Sequence, residues 1–123
     1  MFFPVLSGDP YASFDRLLLP MTGDNDSTTF TDVSTSSRII TPVGNAKIST
    51  AQSKWGAGSG YFDGNGDRLT CTGVAIGTQD FTIDFWMYPI SGGGQYEAVL
   101  FQAGGLSASG GLYIWRSGST NPM

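Results

Sequence analysis

Residues 80–89 read DFTIDFWMYP, and this alternation constrains the fold more than any other stretch. Phe81, Ile83, Phe85 and Met87 share one parity; Thr82, Asp84, Trp86 and Tyr88 share the other. Side chains of an extended chain point alternately to opposite faces. One face of such a strand is wholly apolar, and the other is mixed and aromatic. The pattern predicts a central strand with one side packed on a partner sheet and the other lining a covered or concave surface.

The remaining chain agrees with a strand-rich fold. Its 123 residues suffice for one domain with one core. Charged residues make up 13%, about half the usual share, and 18 glycines with many Ser, Thr and Asn supply polarity instead. Gly and β-branched residues weaken helices, and no stretch carries a helical apolar pattern. Short strands are expected at DRLLLPM (15–21), ended by Pro20, and at FTDVS (30–34), which also reads as a bend. RIITPV (38–43) is extended, with Pro42 marking an edge position because it has no N–H to donate. Gly44-Asn45 turns the chain into AKIST (46–50), where Ala46 and Ile48 alternate with Lys47 and Ser49. GYFD and DRLTC are expected to form a hairpin around Gly64-Asn65-Gly66, since Asn-Gly tolerates positive φ. Two further strands are read at YEAVLFQ (96–102) and GLYIW (111–115), after the loop SGGGQ (91–95). Turn signals recur roughly every 8–12 residues, the spacing of a β-sandwich. Residues 1–12 read as an arm or linker and RSGSTNPM (116–123) as a loop-like end.

Charge and composition exclude several function classes. The net charge is −4, and Arg16, Arg38, Lys47, Lys54, Arg68 and Arg116 are scattered. No basic stripe exists, so nucleic acid is not an expected partner. No apolar run reaches the length of a membrane span, and the apolar start lacks a basic flank and is broken by Pro4, so it does not read as a signal peptide. A single cysteine, Cys71, allows no internal disulfide, and it reads as a small buried or half-buried filler in a strand.

Catalytic constellations are scarce. There is no histidine, and Glu97 is the single glutamate. Serine triads need a base, and glycoside hydrolysis needs two flanking carboxylates; no spacing singles out an Asp pair. The expectation is therefore a protein that is not an enzyme. Asp63, Asn65 and Asp67 in DGNGD place oxygen ligands at alternate positions, as at the opening of a calcium loop. Arg68 follows and no Glu closes the loop, so the competing reading is a tight turn whose carboxylates bond nearby amides. Asp24-Asn25-Asp26 has the same two readings. Gly56, Gly58 and Gly60 resemble a phosphate loop in glycine spacing alone, with no Lys-Ser/Thr after them.

Aromatic residues give the last candidate. A sugar's apolar face stacks on Trp or Tyr while carboxylates bond its hydroxyls. Trp86 and Tyr88, with Asp84 beside them, could form such a surface, joined by Tyr113 and Trp115 from a later strand. The competing reading is packing against a sheet face or beneath a loop. Trp55, ahead of the glycines, reads as structural.

Several pieces occur in order: DPY, LLLPMTGDN, STTFTDVS, VGNAKISTAQSKWGAGSGYFDGNGDRLT and DFTIDFWMYP. Over residues 9–89 this series resembles the laminin G-like, concanavalin A-like lectin/glucanase domains, in the form common in phage tail and other virion proteins. The resemblance implies an all-β jelly-roll sandwich of two antiparallel sheets over residues 13–123. It implies a non-catalytic carbohydrate- or receptor-binding module, with a glycan, a cell-surface receptor or other virion subunits as partners, in a virion or extracellular setting. A structural or assembly module without a sugar site is the alternative, and a glycoside hydrolase fragment a third. Domains of that family continue beyond the position of GLYIW, so the sandwich is expected to be incomplete at the C-terminus: a truncated reading frame, a fragment, or a module completed by another chain. Ca2+ is the one cofactor the acidic loops suggest, and the family's ligands are not carried over.

Overall fold

The computed structural model describes residues 16–74, 80–89, 98–103 and 112–116, the last two stretches as backbone. The expected arm at 1–12, the loop at 91–95 and all of the expected loop-like end but Arg116 lie outside the described residues; Arg116 is in a strand instead. Among those described there are strands and no helix. The strands are β1 (Thr41–Val43), β2 (Lys47–Ser49), β3 (Ser59–Tyr61), β4 (Arg68–Thr70), β5 (Ala98–Ala103) and β6 (Leu112–Arg116). They form three antiparallel two-stranded sheets, β1–β4, β2–β3 and β5–β6. The chain divides into two compact units, Met1–Val74 and Ala75–Met123.

In the first unit, the two short sheets make one long interrupted ribbon. Thr41 faces Thr70 and Val43 faces Arg68 in β1–β4. Lys47 faces Tyr61 and Ser49 faces Ser59 in β2–β3. Between the two ladders, residues 44–46 on one side oppose 62–67 on the other. The side with more residues must bow outward, as at an enlarged bulge. This corrects the hairpin expected at Gly64-Asn65-Gly66: β3 and β4 do not pair with each other. The Asn-Gly turn is the crest of a loop in the middle of the ribbon. The chain does bend at 64–66, with Gly64 and Gly66 rather than Asn65 at positive φ, but pairing with an earlier strand outweighed pairing across the bend. Pro42 lies opposite Leu69 in a sheet of two strands, so the edge position expected of it holds.

Alternation is clearest at β2. Ala46 is 1% exposed and Ile48 is fully buried, while Lys47 and Ser49 are half-buried. Ile48 faces Gly60 across the ladder. A Cβ at Gly58 would sit 3.1 Å from Ile48 Cγ2, and one at Gly60 would sit 3.2 Å from Met21 Sδ. These glycines are packing devices that let Met21 and Ile48 approach the β3 backbone, which accounts for them without a phosphate. Ile48 also donates its N–H to Ser27 O at 2.7 Å and accepts from Asp26 N at 2.9 Å.

Residues 15–21 were expected as a strand. Residues 17, 19 and 21 are half-buried, and 16, 18 and 20 exposed, so the period of two survives. No strand forms, however. Leu18 O accepts from Val33 N at 2.9 Å, but Leu18 N donates to the carboxylate of Asp32 at 3.0 Å rather than to a backbone carbonyl. A side chain has taken the place of half a strand partner. FTDVS contributes one bridge, Thr31 with Ile39, and then a turn.

In the second unit, β5 and β6 lie within two residues of the expected bounds. Val99 faces Trp115 and Phe101 faces Ile114, so Leu100 is an extra residue and the ladder is irregular there. The strand expected at 80–89 is not formed: this stretch runs without turn or bend and without a ladder partner among the described residues. Phe81, Phe85 and Met87, expected to be covered, are 54%, 44% and 49% exposed. Alternation equips a segment to be a strand, but a ladder also needs a neighbour to bond with.

Candidate functional site

Two surface features carry the residues that the sequence singled out. The first is the middle loop of the ribbon. Asp63 Oδ1 accepts from Asn65 N at 2.7 Å, and Asp63 Oδ2 from Asn45 Nδ2 at 3.0 Å. Asp67 Oδ1 accepts from Asn45 N at 2.7 Å, and Asp67 Oδ2 from Asp63 N at 2.9 Å. All four carboxylate oxygens therefore accept from the chain itself. The bond from the Asn65 amide, then that from the Asn45 side chain, holds the Asp63 carboxyl below its usual range. Gly44, at φ +77°, brings the turn so close that a Cβ there would collide with the Asp67 carboxylate. The structure thus brings Asp63 and Asp67 together around Asn45, which sequence reasoning had not included, while Asn65 joins only through its main-chain N–H to Asp63.

Hard cations need several oxygens facing one point. Here N–H groups occupy the carboxylates, and a cation would have to displace them. Among the described residues no group of three His, Cys, Asp or Glu side chains has a metal-holding arrangement. In the second acidic loop the side chains of Asn25 and Asp26 are likewise engaged. Asn25 Oδ1 accepts from Thr50 N at 3.1 Å, and Asp26 Oδ1 pairs with Lys47 Nζ at 2.6 Å. The bond to Asp26, with its charge, raises the Lys47 ammonium. Lys47 also lies 5.8 Å from the Tyr61 ring centroid.

The second feature is the row Asp84, Trp86 and Tyr88. Trp86 is 66% exposed and Tyr88 69%, with Asp84 exposed beside them. Two amphipathic rings two positions apart, with a carboxylate two positions before, offer stacking surface and a hydrogen-bond acceptor. Trp115 lies in β6 opposite Val99, in the same compact unit. Trp55, expected to be structural, is instead largely exposed, with Lys54 Nζ 5.7 Å from its ring centroid. Cys71 is half-buried and free, but it lies one residue past β4 rather than in a strand as expected.

Sequence reasoning missed Asp32. It is 5% exposed, and it accepts four hydrogen bonds. Leu18 N and Ser34 N reach Oδ1 at 3.0 and 2.9 Å; Ser34 Oγ and Arg38 N reach Oδ2 at 3.0 and 2.8 Å. Burial on its own would raise this carboxyl. The amides of Leu18, Arg38 and Ser34, with the Ser34 hydroxyl, outweigh it and bring the pKa down to about 2. Arg38 extends the clamp, donating from Nε to Arg16 O at 2.9 Å and from a terminal nitrogen to Thr72 O at 3.1 Å. The signal was present in TDVSTSS, where an Asp two residues before Ser is a turn-former whose carboxylate seeks amides. Asp32 has a structural role, and no acceptor is left for a ligand.

No helix among the described residues is long and apolar enough to cross a membrane. No protein-family model, no curated protein and no solved structure matches this chain.

Proposed function

We propose that the chain is a non-catalytic module that binds a glycan or a glycan-bearing receptor, built on a concanavalin A-like jelly-roll sandwich and carried on a virion or other extracellular face. The observation that carries the reading is the exposed pair Trp86 and Tyr88 beside Asp84. Exposed tryptophan costs solvation unless a surface has use for it, and stacking on a sugar ring is such a use. The ordered motifs of residues 9–89 and the strand-only character of the described residues support the sandwich. The absence of histidine and the single glutamate in the sequence support a non-catalytic role.

The test is a panel of cell-wall and surface polysaccharides titrated against the folded chain, read by tryptophan fluorescence. Saturable binding is expected, with Trp86→Ala and Tyr88→Ala each weakening it roughly five- to thirtyfold, as loss of a stacked ring costs roughly 1–2 kcal/mol. A folded sample that binds no glycan in the panel contradicts the proposal.

A second reading, an assembly module without a sugar site, is favoured by one observation. The sandwich requires a covering layer over Phe81, Ile83, Phe85 and Met87, yet three of these four are open to water. Apolar surface of this kind also suits a partner virion subunit. Concentration-dependent self-association or capture of a neighbouring subunit, lost in Phe85→Ser and unaffected by Trp86→Ala, would select this reading.

A further inference from the structure

The middle loop of the ribbon contains the sequence's single Asn-Gly pair, Asn65-Gly66. Both residues are exposed, and nothing lies within 4 Å of where a Gly66 Cβ would be. Among the described residues the Asn65 side-chain amide and the Gly66 N–H have no hydrogen-bond partner; Gly66 contributes only its carbonyl, to Arg68. The other described asparagines differ. Asn25 is held by Thr50 and Asp26, and Asn45 donates to Asp63. Their next residues are Asp26 and Ala46, whose Cβ atoms obstruct approach to the following amide.

We propose that Asn65 is a site of spontaneous covalent modification, deamidating through a succinimide. The main-chain nitrogen of Gly66 attacks Asn65 Cγ, and an N–C bond forms as the Cγ–Nδ2 bond breaks. The departing nitrogen leaves as ammonia, carrying the proton lost from the Gly66 amide. Water then opens the ring at either carbonyl, giving aspartate or isoaspartate, with no change of oxidation state. Three features favour the step: a free nucleophile, a free electrophile, and a following residue without a side chain. The exposed pair at the loop crest is free to sample the closing geometry, whereas the paired asparagines must first break contacts. Either product puts a new negative charge beside Asp63 and Asp67, and isoaspartate also lengthens the main chain by a methylene. Asp63 Oδ1, which accepts from Asn65 N, is the first contact to feel it.

The test is peptide mapping of the folded chain after incubation in mildly alkaline buffer, with isoaspartate-specific methylation as a second readout. The peptide containing Asn65 is expected to show the mass change of ammonia lost and water gained, split between two isomers, while those containing Asn25 and Asn45 stay unmodified. Asn65→Ser should abolish the signal in that peptide. Denatured chain, incubated in parallel, should lose the protection at Asn25 and Asn45. An unmodified Asn65 in the folded chain, or modification of Asn25 or Asn45 ahead of it, overturns the proposal.

Discussion

Asp32→Ala is expected to destabilise the first unit by roughly 3–5 kcal/mol, read as a lowered urea midpoint. The substitution removes one acceptor group and orphans three backbone amides and a hydroxyl. Leaving buried donors unpaired costs more than the net worth of the bonds themselves. The lost contacts also span the unit, since Leu18 and Arg38 come from different segments that this carboxylate joins, with Arg38 Nε to Arg16 O as a further link. Asp32→Asn keeps one oxygen and should fall between wild type and Asp32→Ala. The same residue sets an acid limit. Its carboxyl is lowered from 3.8 to about 2, a little under two pH units. A depressed folded value means stability that is full above the unfolded value near 4 and lost as pH falls through the folded value near 2. That difference corresponds to roughly 2 kcal/mol. In Asp32→Asn the part of the acid transition between those values should shrink by that amount. An acid profile unchanged by the substitution would refute the clamp.

Gly44→Ala is the second large effect, expected at roughly 2–4 kcal/mol. Two costs add. At φ +77° an L-residue is strained, and the new Cβ collides with the Asp67 carboxylate. Moving that carboxylate breaks its bonds with Asn45 N and Asp63 N, which hold the loop to the turn. Gly64→Ala is the natural control. Gly64 also has positive φ, at +85°, but nothing lies within 4 Å of its Cβ position. It should cost only the strain, roughly 1–2 kcal/mol. Equal thermal shifts in the two variants would show that the Asp67 contact adds nothing.

Which parts of this protein were legible in its sequence follows from how local each signal is. The half-buried pattern of 46–50 depends on one strand's own alternation, and Ile48 and Ala46 are buried as it implies. β5 and β6 were likewise readable from apolar runs flanked by glycine. The hairpin at Asn65-Gly66 was misread because a turn signal says that the chain bends, not which strands then pair. β3 and β4 each bond to strands about ten to thirty residues earlier, a choice that short-range rules do not contain. Asp32 was overlooked because an Asp among Ser and Thr looks like solvated loop; its burial depends on Leu18 arriving from the far side. At the candidate binding row, the alternation of 80–89 assigned Trp86 and Tyr88 to one face and the phenylalanines to the other, yet no strand forms there and both sets are exposed. It could not show whether either face finds a cover, since that depends on a second layer.

The most direct measurement is a nitrogen-labelled sample titrated with a binding polysaccharide while the three tryptophan indole N–H signals are followed. The account predicts that the Trp86 signal shifts and saturates with the titration, while that of Trp55, outside the row although equally open to solvent, stays in place. If Trp86 stays fixed while binding proceeds, or if Trp55 alone responds, the aromatic row at 84–88 is not where this protein meets its ligand.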